Sequence, residues 1–190
     1  MSIMFNSRSN TNKNNINNID NNKNINKINE NLPIYRDGIG LRKYNKNDEG
    51  FLRKNLKDLK GAFYSLSALT DKNSIKLIIE KEGTKRAMAG EFLISFIEDK
   101  ENVDEYKNYT MVGIWIRKED RNKGIGKNVV KLVLDLLKKS EAPRKVVAYV
   151  DRENIPSINI FKENGFIEEF INPVYNFYDS TFVKELSNDE

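Results

Sequence analysis

Arg121-Asn122-Lys123-Gly124-Ile125-Gly126 stands between a strand-like run, Tyr109 to Ile116, and an amphipathic run, Lys127 to Lys139. Two closely spaced glycines let the backbone approach a ligand without a β-carbon in the way. A helix opening at this point adds unpaired amide groups and a partial positive charge, which together favour a phosphate. The stretch therefore predicts a pyrophosphate-bearing ligand held at a strand–loop–helix junction.

Rival glycine motifs fit less well. A phosphate-binding loop of the nucleotidase type needs glycine where the chain has Arg121, and Ser or Thr where it has Asn128. The dinucleotide fingerprint needs a third glycine where Val129 stands. Asp151 does end the next strand-like run, about where a ribose-binding acid would sit, which keeps a dinucleotide protein as a weaker alternative. The chain after Asp151 is too short to complete two mononucleotide-binding halves.

The pattern Arg-x-x-Gly-x-Gly, after a strand and opening a helix, resembles the acyl-CoA loop of the GNAT superfamily of N-acetyltransferases. A second block carries the same resemblance. After the strand-like run Lys145 to Asp151 come Asn154-Ile155-Pro156-Ser157, then Phe161, then Gly165-Phe166. Family members show Asn, then Ala or Ser, then an aromatic residue, with Gly-Phe closing the helix. The resemblance is sharpest from Tyr109 to Phe170, more general from Ile39 to Glu98, and does not reach the first 32 residues. Gly113-Ile114-Trp115-Ile116, Ser157 and the segment ending near Asp179 look most like the branch of ribosomal-protein N-terminal and spermidine acetyltransferases.

The resemblance implies an α/β fold with a mixed, mostly antiparallel sheet of about six to seven strands, splayed between strands four and five, with helices on both faces. It also implies acetyl-CoA as co-substrate and an amine acceptor, either a protein N-terminus or a polyamine-like molecule. The amides of Asn122, Lys123, Gly124, Ile125, Gly126 and Lys127 would hold the pyrophosphate, with Arg121 opening the loop. Backbone groups of Ile114, Trp115 and Ile116 would pair with the pantetheine arm. Asn154 would bond that arm through its side chain, although it could equally cap the helix that follows. Phe161 is the last of the cofactor-side positions. It stands where relatives carry a proton-donating tyrosine, and Met111 where relatives often carry a glutamate. Neither can move a proton. Glu91 is then the leading substitute base, competing with a plain surface carboxylate, and Tyr149 or Tyr178 the candidate acid. Those two inert positions also motivate a second class, a catalytically silent acyl-CoA-binding module.

Composition narrows the chemistry further. The chain has neither Cys nor His, which removes thiol nucleophiles, histidine bases and His or Cys metal sites. No metal is expected. Acyl transfer by direct amine attack needs none of the missing residues. With 190 residues, 38% of them hydrophobic, one sizeable core can form, and no run of eighteen apolar residues suggests a membrane span. A cytoplasmic location is the expectation, with no membrane partner, and a homodimer is allowed. The net charge of +4 is modest, but Arg117, Lys118, Arg121, Lys123, Lys127 and Lys131 surround the glycine loop and could attract phosphates. The bland alternative is a solvated basic face balanced by Glu119, Asp120 and Asp135. No aromatic stacking motif or recognition helix accompanies the charge, so nucleic acid is not an expected partner.

Residues 1–32 are dominated by Asn with Lys and Ile and are expected to form a disordered tail, leaving 33–190 as the acetyltransferase domain. Gly38 to Tyr44 reads as a first strand. Asn45 or Asn47 caps a helix toward Lys60, and Gly61 to Leu69 reads as a short second helix. Ile75 to Glu80 and Ala87 to Ile97 read as strands about a turn at Glu82-Gly83. Lys145 to Val150 is a buried-type strand, Ile155 to Glu163 a helix with Pro156 in its first turn, and Phe166 to Ile171 and Phe177 to Leu186 closing strands. Asn45 to Thr70 and Asn172 to Tyr178 would shape the acceptor cleft, with Asp48, Glu49, Asp58 and Asp71 as candidate carboxylates for a polyamine.

Overall fold

The computed structural model describes residues 13–55, 72–82, 88–98, 108–140, 142–169 and 180–187. Eight strands form one sheet: β1 (Ile34–Arg36), β2 (Ile39–Lys43), β3 (Ser74–Lys81), β4 (Met88–Glu98), β5 (Asn108–Ile116), β6 (Lys145–Val150), β7 (Ile167–Glu169) and β8 (Ser180–Glu185). Their order is β1-β2-β3-β4-β5-β6-β8-β7. Every neighbouring pair is antiparallel except β5 and β6. The helices are α1 (Lys13–Glu30), α2 (Glu49–Asn55), α3 (Ile125–Ser140) and α4 (Ile155–Glu163). This is the mixed, mostly antiparallel architecture expected, with the short β1 added at its edge.

The period-2 pattern sorts each strand onto two faces. Leu77 and Ile79, Phe92 and Ile94, Val112, Val146 and Ala148, and Phe182 enter the main core, where α3 packs. Helix α3 buries Val129, Val130, Leu132, Val133, Leu134, Leu136 and Leu137, as the amphipathic run required. Its polar edge is pinned to β1 by Arg36, 2.5 Å from Asp135. The opposite face carries a smaller cluster of Tyr109, Val147 and Val183, with Met111 and Tyr149 beside it. Helix α2 lies on this second face, where Phe51 meets Trp115 edge to face at 6.2 Å.

The N-terminal expectation is corrected. Residues 13–30 form α1 rather than a disordered tail, and Ile28 is 0% exposed within the main core, with Ile25 and Leu32 packed against it. Asn-rich sequence is a poor helix former, but burial of an apolar edge against a neighbouring helix outweighs weak local propensity. The expected capping residue, Asn45, does cap, though it opens a 3₁₀ turn (Lys46–Asp48) that leads into the short α2. Its side chain accepts from Asn47 N, while Asp48 accepts from Asn45 N at 2.8 Å. The helix proposed for Gly61 to Leu69, the continuation toward Lys60, and the ends of the last two expected strands lie outside the described residues.

Candidate active site

The parallel pairing of β5 with β6 is brief: Thr110 faces Val146, Met111 faces Val147, and there the register ends. Beyond it the strands diverge. The β5 edge from Val112 to Ile116 has no strand partner among the described residues, while its other edge remains fully paired to β4. An unpaired strand edge is a row of backbone donors and acceptors ready for an extended ligand. Ile114, Trp115 and Ile116, assigned to the pantetheine arm, lie on this edge.

The glycine loop closes the far end of the same opening. Asn122 (φ 59°) and Gly124 (φ 74°) are both left-handed with Lys123 between them, an alternation that can turn successive amides toward one point. Asn is among the few non-glycine residues that adopt this region readily. Gly124 has open space where a β-carbon would be, so its conformation is what requires glycine. Gly126 differs. A β-carbon there would lie 2.5 Å from Ile160 Cδ1 and 3.2 Å from Ile116 Cδ1, so this glycine lets the start of α3 seat against α4 and β5. Its role visible in the fold is close packing.

The basic side chains around the loop are partly committed. Arg121 Nε donates to Ile116 O at 2.9 Å, tying the loop to the strand end. Lys123 Nζ donates to Glu119 O at 2.5 Å, and Lys127 pairs with Glu163 at 3.1 Å. Asp120 is no solvated counter-ion, as the bland reading had it: it is 1% exposed and ion-paired with Arg117, Lys81 (2.6 Å) and Lys123 (3.5 Å). Burial alone would raise its pKa, but hydrogen bonds from Lys81 and Arg117 outweigh that and hold it below the ordinary carboxylate value. This hub ties the loop to β3. The adjacent acids Glu119 and Asp120 among Arg117, Lys118, Arg121 and Lys123 were its only trace in the sequence.

Other assigned positions take structural duties. Asn154 caps α4, its side-chain oxygen accepting from Ser157 N at 3.3 Å. Asp151, the acid behind the dinucleotide alternative, accepts from Glu153 N at 2.8 Å in a local turn. Phe161 is buried, its ring 5.1 Å from Phe166 and 6.3 Å from Phe182, so the face it shows is to the core. Met111 packs with the smaller apolar cluster.

On the second face, β4 and β5 bring Glu91 opposite Trp115. Glu91 is not the surface carboxylate of the bland reading. It pairs at 3.4 Å with Lys76 of β3, the two side chains being 8% and 4% exposed. Burial raises the Glu91 pKa and lowers that of Lys76, and their mutual attraction opposes both shifts. Lys76 also lies 5.7 Å from the centre of the Tyr44 ring. Its sequence signal was a lone lysine inside the apolar run Ile75 to Ile79. Tyr149 lies on this face too, on β6 beside the opening, its hydroxyl 3.4 Å from that of Tyr109. Tyr178 is outside the described residues.

Two of the candidate polyamine carboxylates prove to be occupied. Asp48 is buried and takes both terminal nitrogens of Arg42, at 2.7 and 2.8 Å, while Arg42 Nε reaches Glu80 at 2.5 Å. These contacts raise the Arg42 pKa. Glu49 pairs with Arg53 one turn on. Asp58 and Asp71 lie outside the described residues. Among the described residues no cluster of acidic groups could hold a metal ion.

The family model described as acetyltransferase (GNAT) family matches residues 43–166. No match to a curated protein is found. Solved structures share the fold at low identity. A spermidine N-acetyltransferase from Vibrio cholerae, in complex with CoA and spermine, is 16% identical with a TM-score of 0.59, covering 80% of this chain and 98% of its own. A ribosomal L7/L12 α-N-protein acetyltransferase in complex with coenzyme A is 13% identical with a TM-score of 0.63, covering 81% and 97%. A domain from Methanocaldococcus jannaschii is 22% identical with a TM-score of 0.59, covering 78% and 98%.

Proposed function

Because this chain belongs to the GNAT acetyltransferase family, we propose that it transfers an acetyl group from acetyl-CoA to a primary amine, either a protein N-terminus or a small polyamine-like molecule. The acceptor amine attacks directly in a ternary complex. The observation that carries this reading is the early end of the β5–β6 pairing, which leaves an open strand edge leading to the left-handed turn and the start of α3. Those groups fit an elongated ligand with an amide-bearing arm and a pyrophosphate: the edge Ile114–Ile116 for the arm, the amides of Asn122 to Lys127 for the phosphates.

Acetyl-CoA supplies a thioester whose thiolate leaves readily. The chain's own part is positioning, exclusion of water and handling of one proton. Glu91 is the proposed proton acceptor, acting directly or through water; its raised pKa brings it closer to that of an attacking amine than an exposed carboxylate would be. Tyr149 is the proposed proton donor. The branch of ribosomal-protein N-terminal and spermidine acetyltransferases remains the nearest in motif, and a cytoplasmic enzyme, homodimeric where a partner copy is used, completes the reading.

Phe161 and Met111 favour a second reading, an acyl-CoA-binding module without turnover. Purified protein mixed with acetyl-CoA and a panel of amines, with free thiol followed over time, separates the two. Amine-dependent thiol release supports the enzyme. Tight acetyl-CoA binding by calorimetry without thiol release supports the module, and preference for NAD would overturn both.

A further inference from the structure

The second face of the sheet holds a donor with nothing to bond. Trp115 Nε1 is shut off from solvent and has no hydrogen-bond partner among the described residues. A buried N–H without an acceptor is costly, and such groups are uncommon in folded proteins. Its strand register places it opposite Glu91, the buried carboxylate paired with Lys76. Phe51 of α2 stands against the indole, and Arg117 lies 5.9 Å from the centre of the Phe51 ring. The wall thus combines a carboxylate that can take an ammonium and a neighbouring N–H that lacks an acceptor.

We propose that Trp115 selects acceptors in which a carbonyl stands next to the reacting amine, as at a peptide N-terminus, over simple alkylamines and polyamines. This rests on the amine-acetylation reading above. An α-aminoacyl group carries its carbonyl one carbon from the amine, so Glu91 can receive the ammonium while Trp115 donates to the oxygen. A protonated polyamine has donors only and leaves the indole N–H unmatched. Charge on the described wall points the same way. Beyond Glu91, Asp48 and Glu80 face Arg42 and Glu49 faces Arg53, so the described wall holds no surplus acid for the further ammonium groups of a polycation. An acceptor reaching the nitrogen shifts neighbouring side chains, Phe51 among them.

The test compares a short peptide amide with a free N-terminus against spermidine and an alkylamine of similar length, by thiol release from acetyl-CoA. Wild-type protein is expected to prefer the peptide in kcat/KM. Trp115→Phe keeps the ring and removes the N–H. It should reduce the peptide-to-alkylamine preference about tenfold, as loss of a buried substrate hydrogen bond does. Glu91→Gln should lower the rate with every amine and leave that preference standing. A wild-type preference for spermidine, or equal losses on peptide and alkylamine in Trp115→Phe, would overturn the proposal while leaving amine acetylation intact. Absence of thiol release with every amine would instead overturn the enzyme reading on which it rests.

Discussion

Replacing Gly126 by alanine separates the two reasons a glycine could stand at the head of α3. The added β-carbon would sit 2.5 Å from Ile160 Cδ1, closer than real β-carbons approach their neighbours, and a tight 3.2 Å from Ile116 Cδ1. Overpacking of this kind costs about 1–3 kcal/mol. Alanine gains back about 0.5–1 kcal/mol of helix propensity over glycine. The net loss is therefore about 1–2 kcal/mol, or about 2–8 °C in melting temperature for a chain of this size. The nearest obstacle is the far end of a flexible side chain, so removing it should relieve the clash. Ile160→Val alone should cost about 0.5–1.5 kcal/mol. In the Gly126→Ala background the same change should cost nothing or stabilise, giving a coupling of about 1–2 kcal/mol in a double-mutant cycle measured by urea unfolding. Additive losses, within about 0.5 kcal/mol, would refute the packing argument. So would an unchanged stability accompanied by a large loss of acetyl-CoA affinity, which would make Gly126 a ligand-contact glycine instead.

At Gly124 the balance reverses. Gly124→Ala meets no neighbour but forces a left-handed β-carbon-bearing residue, at about 1–2 kcal/mol; acetyl-CoA affinity measured by calorimetry should fall, and an unchanged value would remove the loop from the cofactor site. Ile28→Ala should destabilise the fold by about 2–5 kcal/mol, whereas Asn22→Ala on the exposed side of α1 should have little effect; equal melting temperatures for both would return the N-terminal segment to a passive tail. Asp120 is held below its ordinary pKa of 3.8, so its contribution is complete above that value and drains away as pH falls through the lower folded value. Asp120→Asn should therefore destabilise at neutral pH and flatten the acid limb of a stability–pH curve, and a parallel curve would contradict the ion-pair hub. The Glu91 pKa is raised above its ordinary 4.5, so turnover limited by this base should rise with pH through that elevated value. Glu91→Gln should depress kcat most above that elevated value, where the wild-type carboxylate is ionised, and abolish this limb; a wild-type profile in the variant would assign the proton to another group.

Local chemistry is what made much of this fold legible. Lys145 to Val150 and Ile155 to Glu163 stand where apolar continuity, Pro156 and the Asn154 cap put them, because each signal is contained within its own few residues. The glycine loop could be read for the same reason, since a left-handed turn and a helix start depend on neighbours in sequence. The α1 helix could not be foreseen in this way. Its residues favour disorder, and the docking of Ile25 and Ile28 beside α3 supplies free energy that holds it.

The sequence by itself determined the order of the described elements from β2 onward, the glycine loop at a strand–helix junction and the absence of histidine and cysteine chemistry, all of which follow from residue types and short spacings. Only the tertiary structure decided which polar groups are spent and which are in position to act. Asp48 lost its candidacy because Arg42 reaches it across the start of α2, and Asp120 became a buried hub because β3 brings Lys81 to it. Glu91 gained a partner because strand register sets Lys76 beside it, and Trp115 kept an unmatched N–H because no acceptor among the described residues comes within reach. Burial and pairing depend on residues distant along the chain, so these assignments arise only once the sheet is assembled.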